Sequence, residues 1–324
     1  VSKAIRFSAT GGPEVLQWLD VDVPPPAAGE VQILQKAIGL NYIDTYHRSG
    51  LYPVPLPSGI GLEGTGEVVA VGSGVKGFKR GDRVAYGTGP IGAYAELRNF
   101  PANRLVKLPK SISDETAAGM MLKGMTVRYL LRATYKVKRG ETILLHAAAG
   151  GVGLILSQWA KSLGVKVIGT VGDDAKRDIA LAHGCAHVIN ARSEDVSARV
   201  REITKGQGVP VVYDGVGAAT VEASLKSLRP RGLLVSFGNA SGPVRNFDLG
   251  KLSAHGSLYV TRPTLMSYTA TDKDFQETAR DLLAVVKSGK VKIPVNQRYA
   301  LKDAAQAHRD LESRKTTGTT VLLP

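Results

Sequence analysis

The chain has 324 residues, 43% of them hydrophobic and 22% charged, an ordinary folded composition that excludes a disordered or fibrous polymer and leaves room for two cores. No run approaches about 18 consecutive apolar residues, so no membrane span is expected, and a single cysteine, Cys185, excludes an intramolecular disulfide and any multi-cysteine zinc site. Forty-two basic residues against 28 acidic ones give a net charge of +14, which suits nucleic acid, an anionic surface or a phosphate-rich cofactor.

The basic residues stand in ones and twos (Lys79-Arg80, Lys138-Arg139, Lys176-Arg177, Arg314-Lys315), with no block of five and no RNA-recognition signature. A solvated basic surface is the first reading and nucleic-acid binding the second. The opening residues Val1–Arg6 carry no apolar signal-peptide region, so a cytoplasmic protein is expected.

Residues 1 to about 110 hold β-branched runs, Glu30–Lys36 and Gly66–Val71, between proline and glycine clusters at Pro24–Pro26, Pro53–Pro57 and Gly72–Gly81. That spacing predicts an all-β barrel or sandwich. A helical stretch starts at Ser113 and runs through Met120–Leu131; it is expected to bridge two domains and to bring Lys123, Thr126 and Tyr129 near the cleft.

Ile143–His146 is an apolar strand that turns through Ala147–Gly151 into a helix from Val152. Gly150 lets the main chain approach phosphates, Gly153 lets helix and strand pack closely, and the helix N-terminus offers N–H donors, so the run points to a dinucleotide. Ala148 replaces the first glycine of the usual G-x-G-x-x-G. Five further apolar runs follow, Lys166–Val171, His187–Asn190, Val209–Val216, Leu233–Gly238 and Ser257–Thr261, with helical segments Val152–Leu163, Asp174–His183, Asp195–Lys205 and Ala218–Leu228 between them. Six strands with helical crossovers predict an α/β, doubly wound Rossmann domain with a parallel sheet. A helix (Phe275–Ser288) and a closing strand (Thr319–Leu323) return to the β domain. The expected division is 1–123 completed by 265–324, and 124–264.

Where NAD-selective versions of this fold place a carboxylate, at the end of the second strand, this chain has Val171. Asp173 and Asp174 come later, as caps of the next helix, and Lys176 follows, where it would welcome a 2′-phosphate. NADPH is the cofactor read from this. His183, Cys185 and His187 have a metal-like spacing, but Gly184 should end the helix between them, so no metal is assigned. His146 reads as a satisfied residue at a strand end.

The segments Lys36–Pro53, Gly74–Val84, Leu122–Thr126, His146–Gly153 and Val235–Asn239 together resemble the medium-chain dehydrogenase/reductase superfamily, and more closely its quinone oxidoreductase branch, the relatives of zeta-crystallin. The resemblance spans nearly the whole chain and implies a GroES-like β-rich domain with the Rossmann domain inserted before its last segment. Zinc alcohol dehydrogenases of the superfamily hold a catalytic metal with a cysteine and a histidine; Asn41 and Leu62 stand at those places here. Oxidising an alcohol needs a Lewis acid to acidify the hydroxyl, whereas a quinone already accepts electrons readily, so a zinc-independent quinone reductase is expected.

The resemblance implies a substrate-facing group of Asn41, Asp44, Tyr46 and Tyr52, with Lys123 and Thr126 near the carboxamide or substrate oxygen. The tyrosines can offer a flat apolar face and a hydroxyl. Asp44 is expected to be an orienting acceptor rather than a general acid, since nothing in the sequence raises its pKa. For the dinucleotide it implies Asn41, Tyr42, Tyr46, Thr126, Tyr129, Gly150, Gly151, Val152, Gly172, Lys176, Val216, Asn239, Ala240, Ser241, Gly242 and Arg314. Ala191 stands where close relatives often carry a tyrosine near the 2′-phosphate, and Arg192 beside it offers a replacement cation. A homodimer through the last Rossmann strand is expected. An NADPH-dependent enone or 2-alkenal reductase, and a basic RNA-binding protein with secondary reductase activity, are the alternative readings.

Overall fold

The computed structural model describes residues 1–324, which divide into two compact units: Val1–Met125 with Thr269–Leu283 and Ile293–Pro324, and Thr126–Tyr268 with Ala284–Lys292. Ala284–Lys292, placed by the sequence reading in the first domain, belongs to the second. The reason is a reciprocal pair of hydrogen bonds: the Gln158 amide donates to the Lys292 carbonyl, and the Lys292 N–H donates back to Gln158 Oε1, both at 2.9 Å.

The first unit is built on a seven-stranded sheet in the order Val295–Ala300, Thr319–Leu323, Glu30–Leu40, Glu63–Val71, Arg83–Tyr86 and Val106–Lys107, with Leu97–Pro101 also paired to Glu30–Leu40. The register between Glu30–Leu40 and Glu63–Val71 shifts twice, at Gln32/Ile33 and Gln35/Ala37, and such bulges bend a strand enough to wrap a core. Val31, Ile33, Phe7, Val68, Val84, Tyr86 and Phe100 fill that core. A smaller sheet pairs Ser2–Phe7 with Gln17–Val21 and Ser58–Gly59.

The unit also contains a helix, Tyr42–Ser49, that the all-β expectation for the first 110 residues lacks. Asn41 leaves the strand in an extended conformation as its N-cap, and Gly50, at φ 82°, ends it in the left-handed region that favours glycine. The helix is hard to read because its buried residues, Asp44, Thr45, Tyr46, His47 and Arg48, are mostly polar, which is the reverse of an apolar stripe.

In the second unit six parallel strands run in the order Cys185–Asn190, Lys166–Val171, Thr142–Leu145, Val209–Asp214, Leu228–Ser236 and Tyr259–Thr261. This is the doubly wound α/β sheet expected from the sequence. Leu144, Ile168, Ile189, Val212 and Leu234 are all buried in one cluster, which is why these strands read as continuous apolar runs rather than as alternation. The strand order reverses at Thr142–Leu145, and in open α/β sheets ligands bind at the carboxyl ends of the strands beside such a reversal.

Candidate active site

At that reversal the chain leaves Leu145 and makes its tight turn with Ala147 at φ 56°. The helix Gly151–Ser162 follows, and its first inward amide is that of Leu154, which donates to the Gly150 carbonyl at 2.9 Å. The first-turn N–H groups before it are left for a ligand. A Cβ on Gly153 would come within 2.4 Å of the Ala147 carbonyl oxygen and 2.6 Å of that of Ala148, whereas one on Gly150 would meet only the Ala147 oxygen at 3.3 Å. Gly153 therefore sets the close approach of helix and strand, and Gly150 leaves open backbone where a pyrophosphate would sit.

Two further strand ends meet beside this turn. Asp214 Oδ1 accepts the N–H groups of Val216 and Gly217 at 2.8 and 3.0 Å, and the Ser241 N–H and hydroxyl both donate to the Val216 carbonyl, at 2.8 and 2.9 Å. The Gly242 N–H closes its own turn on Asn239 at 2.9 Å. Val216 and Asn239–Gly242, far apart in sequence, thus form one bonded rim. His146 lies under it, 2% exposed, with Nδ1 3.0 Å from Thr170 Oγ1 and Nε2 3.0 Å from Ser224 Oγ, and burial holds its pKa down. It is a satisfied structural residue, as its strand-end position suggests.

At the end of the second strand Gly172 is followed by Asp173, whose carboxylate caps the Ala175 N–H at 2.9 Å, and by the half-buried Lys176. The Arg192 guanidinium also reaches this point: its Nε would lie 3.7 Å from a Cβ on Gly172. The structure thus brings together Gly172, Lys176 and Arg192 with no strand-end carboxylate among them. Tyr129, 2% exposed, stacks on Tyr268 with centroids 4.6 Å apart and planes 9° apart. Thr126 is buried in the same helix.

In the first unit Asn41, Asp44, Lys123 and Glu63 form a buried polar cluster. Glu63, 0% exposed, accepts three donors: Asn41 Nδ2 at 2.7 Å, the Leu122 N–H at 2.8 Å and the Lys123 ammonium at 3.2 Å. Lys123 also donates to the Leu40 carbonyl at 3.1 Å. Asp44, equally buried, accepts the Asn41 N–H and the Tyr94 hydroxyl on Oδ2, both at 2.9 Å, while Oδ1 has no partner. Burial pushes its pKa up to about 7, against the lowering effect of those two donors and of Lys123. Nothing in the sequence marks this shift, because its cause is enclosure.

Tyr46 and Tyr52 pack edge to face, centroids 5.2 Å apart, and the Tyr52 N–H donates to the Tyr46 carbonyl at 3.0 Å. Tyr46 is largely buried and Tyr52 half-buried. The Tyr42 hydroxyl donates to the Leu311 carbonyl at 3.1 Å, near Arg314, and burial raises its pKa.

Glu63, Tyr94 and His308 are the residues that sequence reasoning missed. Glu63 had a visible signal, since Gly61-Leu62-Glu63 keeps the acid of a Gly-His-Glu turn; Tyr94 and His308 had none. The donor set does not fit a zinc ion. No three His, Cys, Asp or Glu side chains are grouped to hold a metal, Leu62 offers no ligand, and the Glu63 carboxylate is occupied by the Lys123 ammonium and two N–H donors. The turn at Gly150–Gly153, by contrast, fits a dinucleotide phosphate.

Comparison with known proteins agrees with this geometry. A family model described as alcohol dehydrogenase GroES-like domain matches residues 27–110, and one described as zinc-binding dehydrogenase matches residues 151–284. The chain is 57% identical to a quinone oxidoreductase of Pseudomonas aeruginosa over 100% of both chains. It is 53% identical to the Escherichia coli quinone oxidoreductase whose crystal structure is complexed with NADPH, with a TM-score of 0.98 covering 99% of this chain and 100% of that one. A 2-haloacrylate reductase from a Burkholderia species is 44% identical over 97% of this chain and 96% of its own length.

Proposed function

The chain belongs to the quinone oxidoreductase branch of the medium-chain dehydrogenase/reductase superfamily, and from that premise we propose that it is a zinc-independent, NADPH-dependent quinone reductase. The observation that carries this reading is the Gly150–Gly153 turn, tight enough to exclude a Cβ at Gly153, joined to a second-strand end that offers Lys176 and Arg192, with Val171 where a carboxylate would stand and the Asp173 carboxylate turned to cap the Ala175 N–H.

The N–H groups at the start of Gly151–Ser162 hold the pyrophosphate, Gly172 gives backbone access to the adenosine ribose, and Lys176 and Arg314 hold the 2′-phosphate. Val216, Asn239–Gly242, Tyr129 and Thr126 of the second unit, and Asn41, Tyr42 and Tyr46 of the first, are the further residues proposed to contact the carrier. NADPH bound there would supply the reducing equivalents. Tyr46 and Tyr52 present ring faces to a planar acceptor. Lys123 supplies a fixed positive charge where negative charge develops on the acceptor oxygen, and Asn41, whose amide donates to Glu63 and to the Gly39 carbonyl, helps hold the Glu63 carboxylate that positions it. A quinone needs no Lewis acid to accept electrons, which agrees with a donor set already filled by lysine.

The protein is proposed to be cytoplasmic and a homodimer paired through the edge strand Tyr259–Thr261, where Tyr259 is 62% and Val260 41% exposed. No helix is long and apolar enough to cross a membrane. The scattered basic residues serve phosphate groups of the cofactor and a solvated surface rather than nucleic acid. The test is steady-state turnover with NADPH: a simple quinone is reduced faster than a 2-alkenal. Faster reduction of the alkenal would move the assignment to the enone reductases, the reading favoured by the likeness to 2-haloacrylate reductase.

A further inference from the structure

A line of buried side chains runs from Asp44 to the last helix of the first unit, Ala304–Glu312, and from Arg48 onward every hydrogen bond in it points toward Asp44. Arg48 Nη1 lies 3.0 Å from His308 Nδ1. A guanidinium can only donate, so Nδ1 accepts and the ring proton sits on Nε2. That N–H faces the Tyr94 oxygen at 3.2 Å, and the Tyr94 O–H is thereby turned toward Asp44 Oδ2 at 2.9 Å. The far end is fixed, because Glu312 grips Arg48 through both carboxylate oxygens at 3.0 and 2.7 Å. Burial and the Arg48 charge push His308 down to about 3, so it stays neutral and keeps one tautomer.

The groups that face Asp44 are the Asn41 N–H from its own helix cap, the Tyr94 hydroxyl, the Lys123 ammonium and the Glu63 carboxylate. Its Oδ2 is saturated by two donors, so a proton on the carboxyl resides on Oδ1, the oxygen that no protein group holds. We propose that Asp44 stores the proton consumed when the acceptor is reduced, and that Tyr94 and His308 are positioning residues that set how tightly it is held. The inference rests on the reductase reading above. In the step, the reducing equivalents bring an electron pair to the acceptor, the Asp44 O–H bond breaks as its proton passes by way of water to the reduced acceptor, where an O–H bond forms, and the carboxylate regains a proton from water before the next turnover.

The titration of Asp44 can be followed without any acceptor, by carboxyl carbon resonances of protein labelled with 13C-aspartate; the signal lost in Asp44→Asn identifies it. Tyr94→Phe keeps the ring and removes one donor to the ionised form, so the midpoint is expected to move up by about one unit. His308→Leu moves it the same way by less. His308→Gln, whose amide can accept from Arg48 and donate to Tyr94, stays near the wild-type midpoint.

The alkaline limb of kcat follows the same order, and in Asp44→Asn that limb is gone. A midpoint unmoved in Tyr94→Phe, or an alkaline limb that persists in Asp44→Asn, overturns the proposal. A normal titration in a protein that turns over no quinone strikes instead at the reductase reading beneath it.

Discussion

Replacing Lys123 by methionine removes the one ammonium that compensates Glu63 while keeping the length of the side chain. In the first unit Glu63 is 0% exposed and accepts from Lys123 at 3.2 Å, and the two donors that remain, Asn41 Nδ2 and the Leu122 N–H, are neutral. Removing one member of a buried pair and leaving the other charged costs about 3–5 kcal/mol. For a domain of this size each kcal/mol lowers the melting temperature by about 2–4 °C, so a drop on the order of 10 °C is expected. Thermal unfolding by circular dichroism measures it. The double variant Glu63→Gln, Lys123→Met should recover most of it, giving a large coupling between the two sites. A Lys123→Met protein within about 1 kcal/mol of wild type, with no such coupling, would refute the claim that this lysine is the internal cation of the site.

Gly153→Ala and Gly150→Ala separate packing from ligand access. The first forces a Cβ to 2.4 Å from the Ala147 carbonyl oxygen and should lower both stability, by roughly 1–3 kcal/mol, and dinucleotide affinity; the second meets that atom at 3.3 Å, a tight but smaller overlap, and should cost less stability than the first while weakening the dinucleotide, as read by unfolding and by fluorescence titration. Lys176→Ala should weaken NADPH much more than NADH, and equal losses would remove the account of cofactor choice. Asp44 also has a stability signature. Its folded pKa is raised to about 7 from 3.8, so between those values the folded state holds a proton that the unfolded state has lost, and stability falls as pH rises, by about 1.4 kcal/mol per unit at most. Denaturant titrations of wild type and Asp44→Asn across pH 4 to 7 should differ by that slope, and parallel curves would show that Asp44 is ionised throughout.

The inner strands of the second unit were legible because they are buried on both faces, as Leu144, Ile168 and Val212 illustrate, and so spell apolar runs, whereas Tyr259–Thr261 is exposed and read only as an apolar edge. The phosphate turn was legible for a related reason: Gly153 is forced by a backbone oxygen, and such a constraint leaves a mark at one position. The helix Tyr42–Ser49 left none, since its inward face carries Asp44, Thr45, His47 and Arg48. Nor could the sequence pair Asp44 with Tyr94, 50 residues on, or Tyr94 with His308, 214 residues further. A raised carboxyl pKa is produced by enclosure, and enclosure belongs to the folded chain. Asp44 therefore read as an acceptor and emerges from the fold as a group able to hold a proton near neutral pH.

The most direct measurement is the rate of NADPH oxidation with a quinone after exhaustive chelation, with metal content determined on the same sample. The filled Glu63–Lys123–Asn41 cluster predicts an undiminished rate in protein free of zinc. Loss of turnover on chelation, restored by adding zinc back, would contradict it.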